Sequence, residues 1–102
     1  MRIMTKKRLR IFWTKYPHAK NPLSEWYDKT RGGTWSKFAD VKTVFGQTDQ
    51  AVVDSGNRVC VFDIGGNKFR LIAAVHYNTG IVYVLRVLTH REYDDDKWKR
   101  DL

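Results

Sequence analysis

Apolar positions recur with the period of a helix in the first half of the chain and with the period of a strand in the second. Arg2 to Met4 reads as a short opening strand. Thr5 is placed as an N-cap for a helix from Lys6 to Tyr16. In it Leu9, Phe12, Trp13 and Tyr16 fall at i, i+3, i+4 and i+7 and make one apolar stripe. Pro17 stops that helix. Asn21 and Pro22 suit the N-cap and first residue of a second helix, with Leu23, Trp26 and Tyr27 inward and Gly32-Gly33 at its end. Thr34 is placed to cap a third helix from Trp35 to about Phe45, closed by Gly46. Trp35, Phe38, Val41 or Ala39, and Phe45 pack inward. These aromatic stripes have the spacing of an amphipathic face, so they read as core and not as base-stacking platforms.

From Asn57 onward the period is two. Arg58–Ile64, Asn67–Tyr77 and Ile81–Leu88 read as strands, joined by a Gly65-Gly66 hairpin turn and by Asn78-Thr79-Gly80. The predicted class is α+β: N-terminal helices packed on an antiparallel sheet, with the opening strand added at an edge. The 102 residues make one domain, 1–102, with a modest core.

Charge adds the first functional clue. Nineteen Lys and Arg against eleven Asp and Glu leave a net charge of +8. A small domain this basic meets a polyanion, unless the charge serves only solubility. No apolar run is long enough to span a membrane, and no apolar segment follows the basic N-terminus, so a cytoplasmic protein is expected. Cys60 is the only cysteine, which rules out an internal disulfide; inside an apolar run it reads as a buried thiol.

Strand alternation then assigns faces. Phe69, Leu71, Ala73 and Val75 share the side that packs on the helices, and Lys68, Arg70, Ile72, Ala74 and His76 point the other way. A three-residue loop pairing Tyr77 with Ile81 sets Ile72 opposite Arg86, Arg70 opposite Leu88 and Lys68 opposite His90. Lys68, Arg70, Arg86 and His90 then share one face, and so many cations together point to an anion between them. A one-residue slip would undo this. Each residue also has a plainer reading. Lys68 can be a solvated strand start, Arg70 can pair with a carboxylate such as Asp63, Arg86 can do likewise, and Tyr93 can simply pack. The three histidines match no zinc spacing, and Asp94-Asp95-Asp96 is too local for a metal cage. Gly65-Gly66-Asn67-Lys68 lacks the helix that a phosphate-binding loop needs. Neither a metal nor a cofactor is expected.

Three segments carry a family resemblance: Phe38-Ala39-Asp40-Val41-Lys42, Val61 through Ile72 with its Gly65-Gly66-Asn67-Lys68-Phe69-Arg70 core, and Leu88-Thr89-His90-Arg91-Glu92-Tyr93-Asp94. With Lys7-Arg8-Leu9 and Trp26-Tyr27, they resemble the HigB toxins within the RelE-like superfamily over nearly the whole chain. The resemblance implies a microbial RNase fold, with helices on one face of a curved antiparallel sheet and RNA on the opposite, concave face. It implies an endoribonuclease that cuts messenger RNA, commonly on the ribosome. It also implies a HigA-type antitoxin with a helix-turn-helix domain, and contact with operator DNA only through the toxin–antitoxin complex. The family's strand arginine falls on Arg70, its second basic position on Arg86, its acid–base group on His90 and its aromatic residue on Tyr93, with Lys68 adding charge. Lys6, Lys7, Arg8 and Arg10 of the first helix, and Lys97, Lys99 and Arg100 of the tail, are candidates for contact with RNA or the ribosome. The competing reading is a non-catalytic RNA- or ribosome-binding module, which needs the basic face but not His90.

Overall fold

The computed structural model describes residues 1–102. The chain runs β1 (Arg2–Met4), α1 (Lys7–Lys15), a 3-10 turn (Pro17–Ala19), α2 (Lys20–Arg31), α3 (Phe38–Val44), β2 (Asp49–Val52), β3 (Arg58–Ile64), β4 (Phe69–His76), β5 (Ile81–Thr89), α4 (His90–Asp94) and a second 3-10 turn (Lys97–Asp101). The five strands form one sheet in the order β1-β5-β4-β3-β2. All pairings are antiparallel except β1 on β5, which is parallel. The α+β class and the N-terminal strand at an edge agree with the sequence reading.

Several helix starts move. Thr5 does not cap α1: its φ is +62°, and its hydroxyl donates to the Val84 carbonyl at 2.7 Å, tying the β1 end to β5. A side chain committed to the sheet has no reach left for the helix. Helix α2 begins at Lys20, so Asn21 and Pro22 lie inside its first turn, where proline's missing N–H costs nothing. Helix α3 begins at Phe38, not Trp35. Trp35 stays buried, while the carboxylate of Asp40 accepts from the Ser36 backbone and hydroxyl, both at 2.9 Å, ahead of the first turn.

The third strand was predicted with its observed bounds, but β4 starts at Phe69 and not at Asn67. Gly65, Gly66 and Asn67 all take positive φ, at +65°, +64° and +71°. Glycine and asparagine tolerate that region best, so Gly-Gly-Asn is spent on the turn, and Lys68 belongs to the turn as well. Strand β2, polar and at the sheet's outer edge, was absent from the sequence reading.

The β4–β5 loop is one residue longer than expected: His76, not Tyr77, pairs with Ile81. An irregularity between Ile72 and Ala73 shifts the register back, because Ala73 faces Val84 while Ile72 faces Arg86, leaving Leu85 as the extra residue. The bulge cancels the longer turn. The functional half of the ladder therefore has the predicted pairs, Ile72 with Arg86 and Arg70 with Leu88.

Two cores flank the sheet. On the helix side Leu9, Phe12, Leu23, Trp26, Trp35 and Val41 pack on Cys60, Phe62, Phe69, Leu71, Ala73, Val82 and Val84. On the other side Trp98 packs with Val53, Val59, Val61, Ile72 and Leu88, joined by Tyr93 and Leu102. The C-terminal segment, polar and charged in sequence, is thus a strap across the sheet. The Trp98 indole donates to the Tyr93 carbonyl at 3.1 Å, and the Asp54 N–H bonds the Lys99 carbonyl at 3.1 Å. Part of the face expected to lie open to RNA is covered by this strap.

Candidate nucleic-acid interface

Beside the strap, where β4 begins and β5 ends, Lys68 and His90 stand exposed. Phe69 pairs with Thr89, and the His90 N–H donates to the Lys68 carbonyl at 3.1 Å. This pairing sets Lys68, Arg70 and His90 at one end of the sheet, as expected. Lys68 is exposed and has no carboxylate within 4 Å.

His90 is the first residue of α4, and a capping box fixes its place. The Thr89 hydroxyl accepts from the Glu92 N–H at 3.2 Å, and the Glu92 carboxylate accepts from the Thr89 N–H at 2.9 Å. The imidazole is exposed, with Nε2 3.1 Å from Asp94 Oδ2 one turn on. The sequence reading weighed Asp94 only as part of a metal cage and rejected it, although the i,i+4 spacing to His90 was visible in the sequence. The contact orients the ring and leaves Nδ1 for another partner.

Arg70 is largely enclosed. Its Nε lies 3.1 Å from Asp63 Oδ1 on β3, and its guanidinium carbon sits 5.3 Å from the centre of the Tyr93 ring. Its Nη1 also donates to the Phe69 carbonyl at 3.3 Å. The carboxylate pairing weighed from the sequence is therefore present. Tyr93 in turn stacks on Trp98, centroids 5.5 Å apart and planes 17° apart. The ring of Tyr93 is a shelf under Arg70 and not a free platform for a base.

Arg86 stands one strand over, opposite Ile72, with no hydrogen bond or ion pair to this group. The sheet order places Asp63 on the β3 side of Arg70 and leaves Arg86 on the outer strand, where β1 covers β5 only at Ile81–Tyr83. Arg86 donates to the Leu85 carbonyl at 2.7 Å and lines a cleft of about 220 Å³ with Arg8, Lys15 and Tyr16 of the α1 region and Glu92 of α4. The four-cation cluster drawn from strand register is therefore two neighbouring groups: Lys68, Arg70 and His90 at the strand end, and Arg86 at the sheet edge.

The other basic candidates scatter. Lys6 and Arg10 line a separate groove between α1 and α2 with Trp13 and Tyr27, and Lys7 is exposed. Lys97 and Arg100 are exposed, while Lys99 lies 3.4 Å from Asp96 and over the Trp98 ring. No three His, Cys, Asp or Glu side chains are grouped to hold a metal ion, and no helix is long and apolar enough to cross a membrane.

Comparison with known proteins agrees with the fold and the motifs. The profile of the HigB toxin, described as the RelE-like toxic component of a toxin–antitoxin system, matches residues 19–96. The chain is 32% identical over 94 residues to the mRNA interferase toxin HigB of Escherichia coli (strain K12), covering 92% of this chain and 88% of that one. It is equally similar to the mRNA interferase HigB of Shigella flexneri. A third mRNA interferase HigB, from Escherichia coli O6:H1, is 28% identical over 92% of this chain and 89% of its own. The chain belongs to the HigB toxin family, the RelE-like toxic components of toxin–antitoxin systems.

Proposed function

We propose that residues 1–102 act as a single toxin domain that cuts messenger RNA at the β4–β5 strand end. The reading rests on family membership for the activity and on one geometric observation for the site: the Phe69–Thr89 pair and the His90–Lys68 backbone bond set an imidazole, an ammonium and a guanidinium at one sheet end.

Cleavage of RNA without a metal needs three events. The ribose 2′-OH loses its proton as its oxygen attacks phosphorus, the crowded phosphorane sheds or shares its negative charge, and the 5′-oxygen takes a proton as its bond to phosphorus breaks. Arg70, held by Asp63 and Tyr93, presents a fixed cation to the phosphorane with no reorganisation at the moment of reaction. His90, oriented by Asp94, carries one of the two proton transfers. Lys68 supplies charge or the other transfer. The proton lost by the 2′-OH and the one gained by the 5′-oxygen balance, and the strand ends in a cyclic phosphate.

The protein works in the cytoplasm with messenger RNA as substrate, with the ribosome as the usual setting for the cut, and under a HigA-type helix-turn-helix antitoxin that carries the contact to operator DNA. Exposed Lys6, Lys7, Arg10, Lys97 and Arg100 suit contact with ribosomal RNA. Primer extension on a defined messenger RNA, with ribosomes and separately on free RNA in EDTA, tests the reading. Discrete cuts by the antitoxin-free protein are expected with ribosomes. Absence of cuts in both reactions from a folded protein would contradict it. Growth arrest that survives His90→Ala would favour a non-catalytic module instead.

A further inference from the structure

The edge of β5 holds a second group of cations that the reaction above does not use. Beyond Tyr83 this edge has no partner strand, and α1 packs beside it, leaving the cleft that Arg8, Lys15 and Arg86 line. None of the three has a carboxylate within 4 Å. The one acid in the cleft, Glu92, already accepts the Thr89 N–H in the capping box. Three cations against this one carboxylate leave the cleft net positive, and a chain of anions laid along it is favoured.

The layout says which kind of anion. Arg8 and Lys15 stand two turns apart on one helix face, about 10 Å along the axis. Cations strung out in this way follow the backbone of a strand better than they enclose a small free anion. Tyr16 lines the same cleft, and Ile11 beside it is 62% exposed, which gives apolar surface for a ribose or base. The cleft also adjoins the cutting site: Glu92 and His90 share the first turn of α4, and Arg86 lies two residues from Leu88, the partner of Arg70.

We propose that Arg8, Lys15 and Arg86 form a second phosphate-binding subsite, which holds the backbone of the substrate strand next to the nucleotide being cut. This rests on the reading that the protein cleaves RNA at the β4–β5 end. It adds Lys15 to the interface and moves Arg8 from general ribosome contact to the substrate itself.

The test uses the antitoxin-free protein and a short 2′-O-methyl-RNA strand, which resists cleavage, with binding followed by anisotropy across a salt series. Arg8→Gln with Lys15→Gln, both exposed positions, should weaken binding about tenfold or more. It should also flatten the slope of log K against log salt by about 1.4, the value for two lost single-strand phosphate contacts. In the ribosome cleavage assay the loss should fall on KM and not on kcat. Unchanged affinity and slope would overturn the subsite, as would normal binding of the free strand with cleavage lost only on ribosomes, since the cleft would then face ribosomal RNA. If the wild type binds the strand through this cleft but cuts no RNA, the cleavage reading fails and the subsite stands.

Discussion

At the residue scale, Arg70 carries two demands at once. The same guanidinium balances a half-buried carboxylate, Asp63, and in the proposed reaction also faces the phosphorane. Arg70→Ala should therefore lose cleavage and also cost about 1–3 kcal/mol of stability, because Asp63 is left without its partner. Removing Asp63 as well should restore most of the stability and none of the activity. Thermal melts and cleavage rates on the single and double variants check this, and recovery of both together would make Arg70 a structural residue only. The pairing was open to sequence reasoning because Asp63 lies across the Gly65-Gly66 hairpin from Arg70; the enclosure by Tyr93 and Trp98 was not, since it depends on how the chain returns after α4. Cys60 gives a pH prediction. Burial pushes its thiol up from 9.0 to about 11. The unfolded chain sheds this proton at lower pH than the folded one, so the contribution is whole below about 9 and is lost as pH rises towards 11. Cys60→Ala should make the alkaline fall in urea stability shallower, and equal slopes in the two proteins would exclude the thiol as its cause.

At the scale of elements, the short helix α4 decides where His90 stands. It has no buried residue of its own, so its place depends on the capping box and on the strap behind it. Thr89→Ala should cost about 1 kcal/mol and lower cleavage as well, because the residue after the lost cap is His90. A stability loss with unchanged cleavage would show that the imidazole needs no such anchor. Trp98→Ala should cost about 3–5 kcal/mol, since the indole is 5% exposed and closes the second core. Urea denaturation measures it, and a loss under 1 kcal/mol would mean that the strap only rests on the sheet. The strands β3, β4 and β5 were legible because their apolar, β-branched runs are bounded by Gly and Asn turn residues. Strand β2 was not, because Asp49, Gln50 and Val52 of this edge strand are exposed and leave little apolar pattern. The register at Arg70 and Arg86 was inferred from the wrong turn and came out right because the extra residue at Leu85 offsets the longer loop.

For the whole molecule, the sheet is a two-sided object. The helices cover one face, the strap covers much of the other, and one strand end and one sheet edge carry the exposed cations proposed to meet RNA. The charge and the Thr89–Asp94 motif made the ligand and the family legible. The separation of Arg86 from Arg70 was not legible, because register places backbones and says nothing of which way a long side chain turns at a free edge. Single-turnover cleavage of a defined messenger RNA on ribosomes by His90→Ala, with a melting curve recorded on the same protein, asks whether the strand end performs the chemistry. A rate loss of about 100-fold or more with an unchanged melting curve is expected, since His90 is exposed and proton transfer by a positioned side chain is worth that much. A folded His90→Ala protein that cuts at the wild-type rate would contradict it.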